Sequence, residues 1–154
     1  MLEADPAVRP HPMVDLVRGA IVGAPLASLL GVELVDVADD VVVVRLPFRS
    51  EVTTIGDLVH GGAISALVDI AATGAAWTRA DLTRSPRGTT IGFSLNFLQG
   101  AVGTDLVATA RIIQRGRSVQ VGEVDVRSAA GDAVARATVT YKLDHKGEGK
   151  AVPA

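Results

Sequence analysis

The chain of 154 residues contains no cysteine. That absence removes disulfides, thiolate metal sites, cysteine nucleophiles and cluster ligation together, so any catalysis must use oxygen, nitrogen or backbone groups. Aromatic residues make up only 3%, too few for the exposed stacking rings that bind single-stranded nucleic acid. An excess of one charge is lacking too: 15 basic residues stand against 17 acidic ones, and the basic ones are scattered. Nucleic acid is therefore not an expected partner. No apolar run reaches the roughly 18 residues that span a bilayer. The apolar stretch 19–31 is broken by Pro25 and preceded by Glu3, Asp5 and Asp15 instead of a basic start. The expectation is a cytoplasmic protein without a membrane partner. No G-x-S-x-G, H-E-x-x-H, G-x-x-x-x-G-K or G-x-G-x-x-G occurs, which disfavours serine-hydrolase, zincin and nucleotide-fold readings.

What is present reads as one globular domain, with 48% hydrophobic and 21% charged residues. Residues 1–31 form a lead-in, with an extended start over 1–12 and short helical pieces at 13–21 and 25–30. Pro25 suits a first helical turn and Gly31 a C-terminal cap. The domain proper is expected over 32–145, and 146–154 reads as a flexible tail; neither terminus is expected to carry chemistry. Runs 32–37 and 41–48 are β-branched and separated by Ala38-Asp39-Asp40, which predicts a hairpin. Residues 61–79 are dense in Ala, Leu and Ile, long enough for a helix and apolar nearly all round, which predicts a buried one. Four strand-like runs follow, at 89–98, 104–114, 118–128 and 133–143. In the first of them, alternation puts Ile91, Phe93, Leu95 and Phe97 on one face and Thr90, Gly92, Ser94 and Asn96 on the other. Two strands, one helix and four strands predict an α+β fold in which a curved, antiparallel six-stranded sheet wraps one long central helix. The outer face of such a sheet would need a cover, supplied by another subunit. The small residues Thr90, Gly92 and Ser94 suit that contact.

Between His60 and Arg79 the only charged residue is Asp69. A carboxylate in a buried helix must be hydrogen-bonded, neutralised or open to a cleft. At about 100° per residue, Ser65, Asp69 and Thr73 share a stripe, extended by Gly62 and Ala76. The helix opens with His60-Gly61-Gly62, whose first N–H groups lack intrahelical partners and can meet a carbonyl oxygen that is gaining charge. Asp69 lies roughly 12 Å along the axis from Gly61. One helix therefore does not bring both to a single atom. Two helices paired antiparallel across a two-fold axis do. His60 and Asp69 are half a rotation out of phase, so a histidine–carboxylate pair of the dehydratase kind is not supported within one chain.

His60-Gly61-Gly62 followed by Leu67 and Asp69 on one helix resembles the hotdog-fold acyl-CoA thioesterases of the phenylacetate-pathway (PaaI-like) type, over roughly residues 31–143. The resemblance implies hydrolysis of acyl-CoA to free acid and CoA without metal or cofactor. Gly61 would supply the oxyanion donor, Asp69 the general base or nucleophile, His60 a positioning contact, and Thr90 a hydroxyl that places water. Where many relatives carry Asn, six residues before His60, this chain has Thr54. Thr54, Gly62, Ser65 and Thr73 are candidates for lining the substrate site, and Arg115 and Arg117 for meeting the CoA phosphates. The assembly implied is at least a homodimer and, by preference, a homotetramer built as a dimer of dimers. Taken alone, His60 reads as a helix cap, the two arginines as solvated turn charges, and Ser65 and Thr73 as partners of backbone carbonyls. A non-catalytic acyl-CoA-binding protein is the alternative function.

Overall fold

The computed structural model describes residues 8–145; the expected tail at 146–154 lies outside them. The N-terminal segment is part of the core rather than an appendage. Helix α1 (Val14–Leu16) runs into a π-helical turn, Val17–Val22, closed by the Gly23 N–H donating to the Arg18 carbonyl at 2.8 Å. The wider π spacing lets Val17 and Val22, five residues apart, both point inward. Helix α2 (Pro25–Leu30) starts with proline in its first turn and ends on Gly31 in the left-handed region at φ 73°.

The sheet is six-stranded and antiparallel throughout: β1 (Glu33–Ala38), β2 (Val41–Leu46), β3 (Arg87–Phe97), β4 (Leu106–Arg115), β5 (Val119–Ser128) and β6 (Ala133–Asp144) lie in the order β1-β2-β4-β5-β6-β3. Helix α3 (Gly61–Trp77) packs on β2, β3, β4, β5 and β6, so the sheet curves around it. Leu67, Val68, Ala71 and Ala75 meet the inward rows of Val42, Val44, Leu106, Val124, Ala137 and Val139, all buried. Close approach is set by Gly74, where a Cβ would stand 3.1 Å from Val42 Cγ1.

Two expectations change. First, the outer face of the sheet carries Arg111, Glu123, Asp125, Arg127, Arg136 and Thr138 around an open hollow of about 460 Å³. Arg127 and Arg136 pair there with Asp125, and for a charged face of this kind hydrophobic burial does not demand a cover. One run of uncovered apolar surface lies on the edge strand β3 and just after it, where Ile91 is 58%, Phe93 42%, and Phe97 and Leu98 each 55% exposed. Second, strand alternation breaks in β3. The register slips between Thr90 and Gly92: Thr90 stands opposite Tyr141, and Gly92 opposite Thr140. Ile91 is the bulged residue, and a bulge shifts a period-two count by one. Thr90 therefore faces inward with Phe93, Leu95 and Phe97, not outward with Ser94 and Asn96.

Candidate active site

The helix start is built by His60. Its backbone is extended, its N–H donates to the Val52 carbonyl, and its ring Nδ1 accepts from the Gly62 N–H at 2.7 Å. The histidine thus acts as the N-cap of α3. An Nδ1 that accepts leaves the neutral ring's proton on Nε2. Gly62 is consequently not a free donor. Among the described residues the Gly61 N–H has no acceptor, and it is the one first-turn amide left to face a ligand. Both glycines have close neighbours as well as open access: a Cβ at position 62 would lie 2.9 Å from His60 Nδ1, and one at position 61 would lie 3.1 Å from Phe97 Cζ.

Gly61 opens onto a cavity of about 330 Å³ lined by Thr54, Leu58, Ile64, Phe97 and Ala101, among others. Thr54, on the hairpin-like loop bridged by Thr53 and Val59, lies across this cavity from the helix start. The lining is mostly apolar, which suits an acyl group.

Asp69 is half-buried, not enclosed: with Ser65, Ile70, Thr73 and Trp77 it forms a stripe of α3 that the sheet leaves partly open. Its Oδ1 accepts from the Thr90 hydroxyl at 2.6 Å. The bond depends on the bulge at Ile91, since an unbroken alternation would turn Thr90 away. The second carboxylate oxygen remains available to a water. Asp69 does not line the cavity at Gly61, in keeping with their separation along the helix. Ser65 donates to the Gly61 carbonyl at 2.8 Å, one turn back.

Arg115 is engaged elsewhere. Its guanidinium donates to Asp40 Oδ1 at 2.6 and 2.9 Å and to the Ala76 carbonyl at 3.3 Å, at the C-terminal end of α3. There it neutralises the helix end and fixes the β1–β2 turn, whose Asp40 has a φ of 62°. Arg117 is exposed in the turn between β4 and β5. Sequence reasoning missed two residues that meet further along α3 from Asp69. Trp77 Nε1–H donates to the Tyr141 hydroxyl at 2.8 Å. Burial pushes the Tyr141 phenol above its ordinary value, opposed by the Trp77 hydrogen bond and helped by the Asp69 charge nearby. The usable signal was composition: this chain has one tryptophan and one tyrosine. Among the described residues no group of three or more His, Asp or Glu could hold a metal, and no helix is long and apolar enough to cross a membrane.

Comparison with known proteins agrees with this geometry. Residues 56–135 match the thioesterase superfamily. A protein of Halobacterium salinarum, provisionally named an esterase, is 33% identical over 118 residues, covering 73% of this chain and 76% of its own. Among solved structures, a thioesterase family protein from Silicibacter pomeroyi superimposes with a TM-score of 0.78 at 23% identity, over 85% of this chain and 97% of that one. The Escherichia coli PaaI protein of the phenylacetic acid degradation operon does so at 0.75 and 18%, over 85% and 93%. Shared fold, the HGG helix start and the matched family together make this chain a hotdog-fold hydrolase of the thioesterase superfamily.

Proposed function

We propose that this protein hydrolyses acyl-CoA thioesters, as a dimer whose two sites each take Asp69 from one subunit and the α3 N-terminus from the other. The observation that carries the reading is the Asp69 carboxylate, on the open stripe of an otherwise apolar helix, oriented by Thr90 at 2.6 Å. A positioned carboxylate with one oxygen free is what removal of a proton from water requires. Water attacks the thioester carbonyl carbon and passes its proton to Asp69. The carbonyl oxygen becomes anionic against Gly61 N–H of the partner subunit, with the positive end of α3 behind it. The C–S bond then breaks, the acid is released, and the CoA thiolate leaves and takes up the proton. Direct attack by Asp69, giving a mixed anhydride that water opens, uses the same geometry. Oxygen-18 from labelled water reaches the product acid in a single turnover on the first route, and reaches Asp69 on the second when water opens the anhydride at the Asp69 carbonyl carbon.

Dimerisation through β3 is supported by its unpaired edge and its exposed Ile91, Phe93 and Phe97. A further pairing of dimers would use the polar convex face. With Arg115 held by Asp40, Arg117 is the cation of that turn left to meet the CoA phosphates.

The test is release of free thiol from a panel of aryl and straight-chain acyl-CoAs. A thiol reagent reads it without protein background, because the chain has no cysteine. Turnover is expected, and Asp69→Asn should lower kcat by roughly 10²–10⁴ while sparing binding. CoA esters bound without turnover would instead indicate the non-catalytic binding protein.

A further inference from the structure

The concave face of the sheet is apolar apart from Ser128 near one end and a single polar row across it. Thr90 on β3 stands opposite Tyr141 on β6, Tyr141 opposite Gln120 on β5, and Gln120 opposite Arg115 on β4. Residues paired in register share a face, so these four polar side chains cross the sheet in a line beneath the C-terminal half of α3. The ends of the line have been accounted for: Thr90 holds Asp69, and Arg115 holds the end of the helix. The middle has not. Tyr141 is only 4% exposed, and its hydroxyl accepts from Trp77 Nε1–H at 2.8 Å. The Thr73 side chain, one helical turn beyond Asp69, also lies close to it. Gln120, the other neighbour, leaves its buried Oε1 without a partner, so the phenol is tied to the helix rather than to β5.

Gly88 makes room for this arrangement. A Cβ there would stand 2.4 Å from the Tyr141 hydroxyl and 2.8 Å from Trp77 Nε1. The residue is exposed, and its φ does not call for glycine. The space it leaves empty is the reason for glycine at this position.

We propose that Tyr141, oriented by Trp77 and given room by Gly88, is a positioning residue for the Asp69–Thr90 pair. Through Trp77 it fastens the C-terminal half of α3, the part that follows Asp69, to the strand next to Thr90. Its kinetic consequence rests on the hydrolysis proposed above; its geometry does not.

Two measurements on the full-length protein decide it. Tyr141→Phe keeps the ring and removes the hydroxyl, and should lower kcat about tenfold with KM changed less than about twofold. Gly88→Ala, which displaces the phenol without altering any polar group, should reproduce that split. In a Thr90→Val background Tyr141→Phe should cost little more, because both act through one carboxylate. The second measurement needs no turnover. The single tryptophan gives one indole N–H signal in a ¹⁵N–¹H spectrum, and Asp69→Asn should move it in the wild-type background and not in Tyr141→Phe. Unchanged kcat in both Tyr141→Phe and Gly88→Ala, or an indole signal indifferent to Asp69→Asn, overturns the assignment. If wild-type protein releases no thiol from any ester, the proposed hydrolysis fails while the indole response still decides the clamp.

Discussion

At the scale of single residues, the site is a division of labour among short polar contacts. His60 takes the Gly62 N–H and thereby singles out Gly61 as the free donor; Thr90 takes one carboxylate oxygen of Asp69 and leaves the other. Arg115 shows how position overrides residue type. A turn arginine looks like a phosphate ligand, yet this one spans Asp40 and the Ala76 carbonyl, where a partly buried carboxylate and a helix end hold it. Arg115→Ala should therefore destabilise the protein by about 1.5–3 kcal/mol, the worth of hydrogen bonds to charged groups. It should leave KM for CoA esters unaltered. Urea denaturation and initial-rate kinetics read the two effects, and a raised KM at unchanged stability would restore the phosphate role.

At the scale of elements, α3 and β3 decide the chemistry between them. The helix was legible because 61–77 is uninterrupted Ala, Gly, Ile, Leu and Val apart from a sparse polar stripe, and that stripe proves to be the part the sheet leaves open. Strand β3 was legible in extent and illegible in phase. One bulged residue turns Thr90 inward, and no local propensity marks Ile91 as the extra residue; pairing with β6 does. The β2–β4 pair offers a pH prediction. Asp105, at the start of β4, accepts from the Phe48 N–H at 2.7 Å and from Arg45 at 2.7 Å, and these bonds hold its carboxyl below the ordinary carboxylate range. A depressed folded value means that its stabilisation is present above the unfolded value of about 3.9 and is lost as pH falls through the folded one. The stability gap between wild type and Asp105→Asn should be constant above about pH 5 and narrow steadily below pH 4. Urea midpoints across that range would show it, and a gap that does not narrow would contradict it.

At the scale of the whole molecule, the two parts of the candidate site lie apart. Gly61 with its apolar cavity and Asp69 with Thr90 sit about two turns apart on one helix, and the proposed dimer would unite them through a second helix running the other way. The exposed apolar residues of β3 are the seam in that proposal. Phe93→Glu, at a position already 42% exposed in the single chain, should leave a folded monomer. Light scattering should show the dimer mass halved, and thiol release should fall with it. A fully active monomer would show that one chain completes its own site.

By itself the sequence determined the element order, the central helix, the capped helix start and the one carboxylate that stands out. Each of these follows from local spacing: hydrophobic period, turn residues, and the cost of a charge among apolar neighbours. The family resemblance rested on the same local motif. Tertiary structure alone decided which way Thr90 points, what Arg115 binds, why Gly88 is glycine, and that Tyr141 and Trp77 meet. Those facts depend on register between strands distant in sequence and on the approach of a helix to a curved sheet. A one-residue shift in pairing reverses every side chain that follows it.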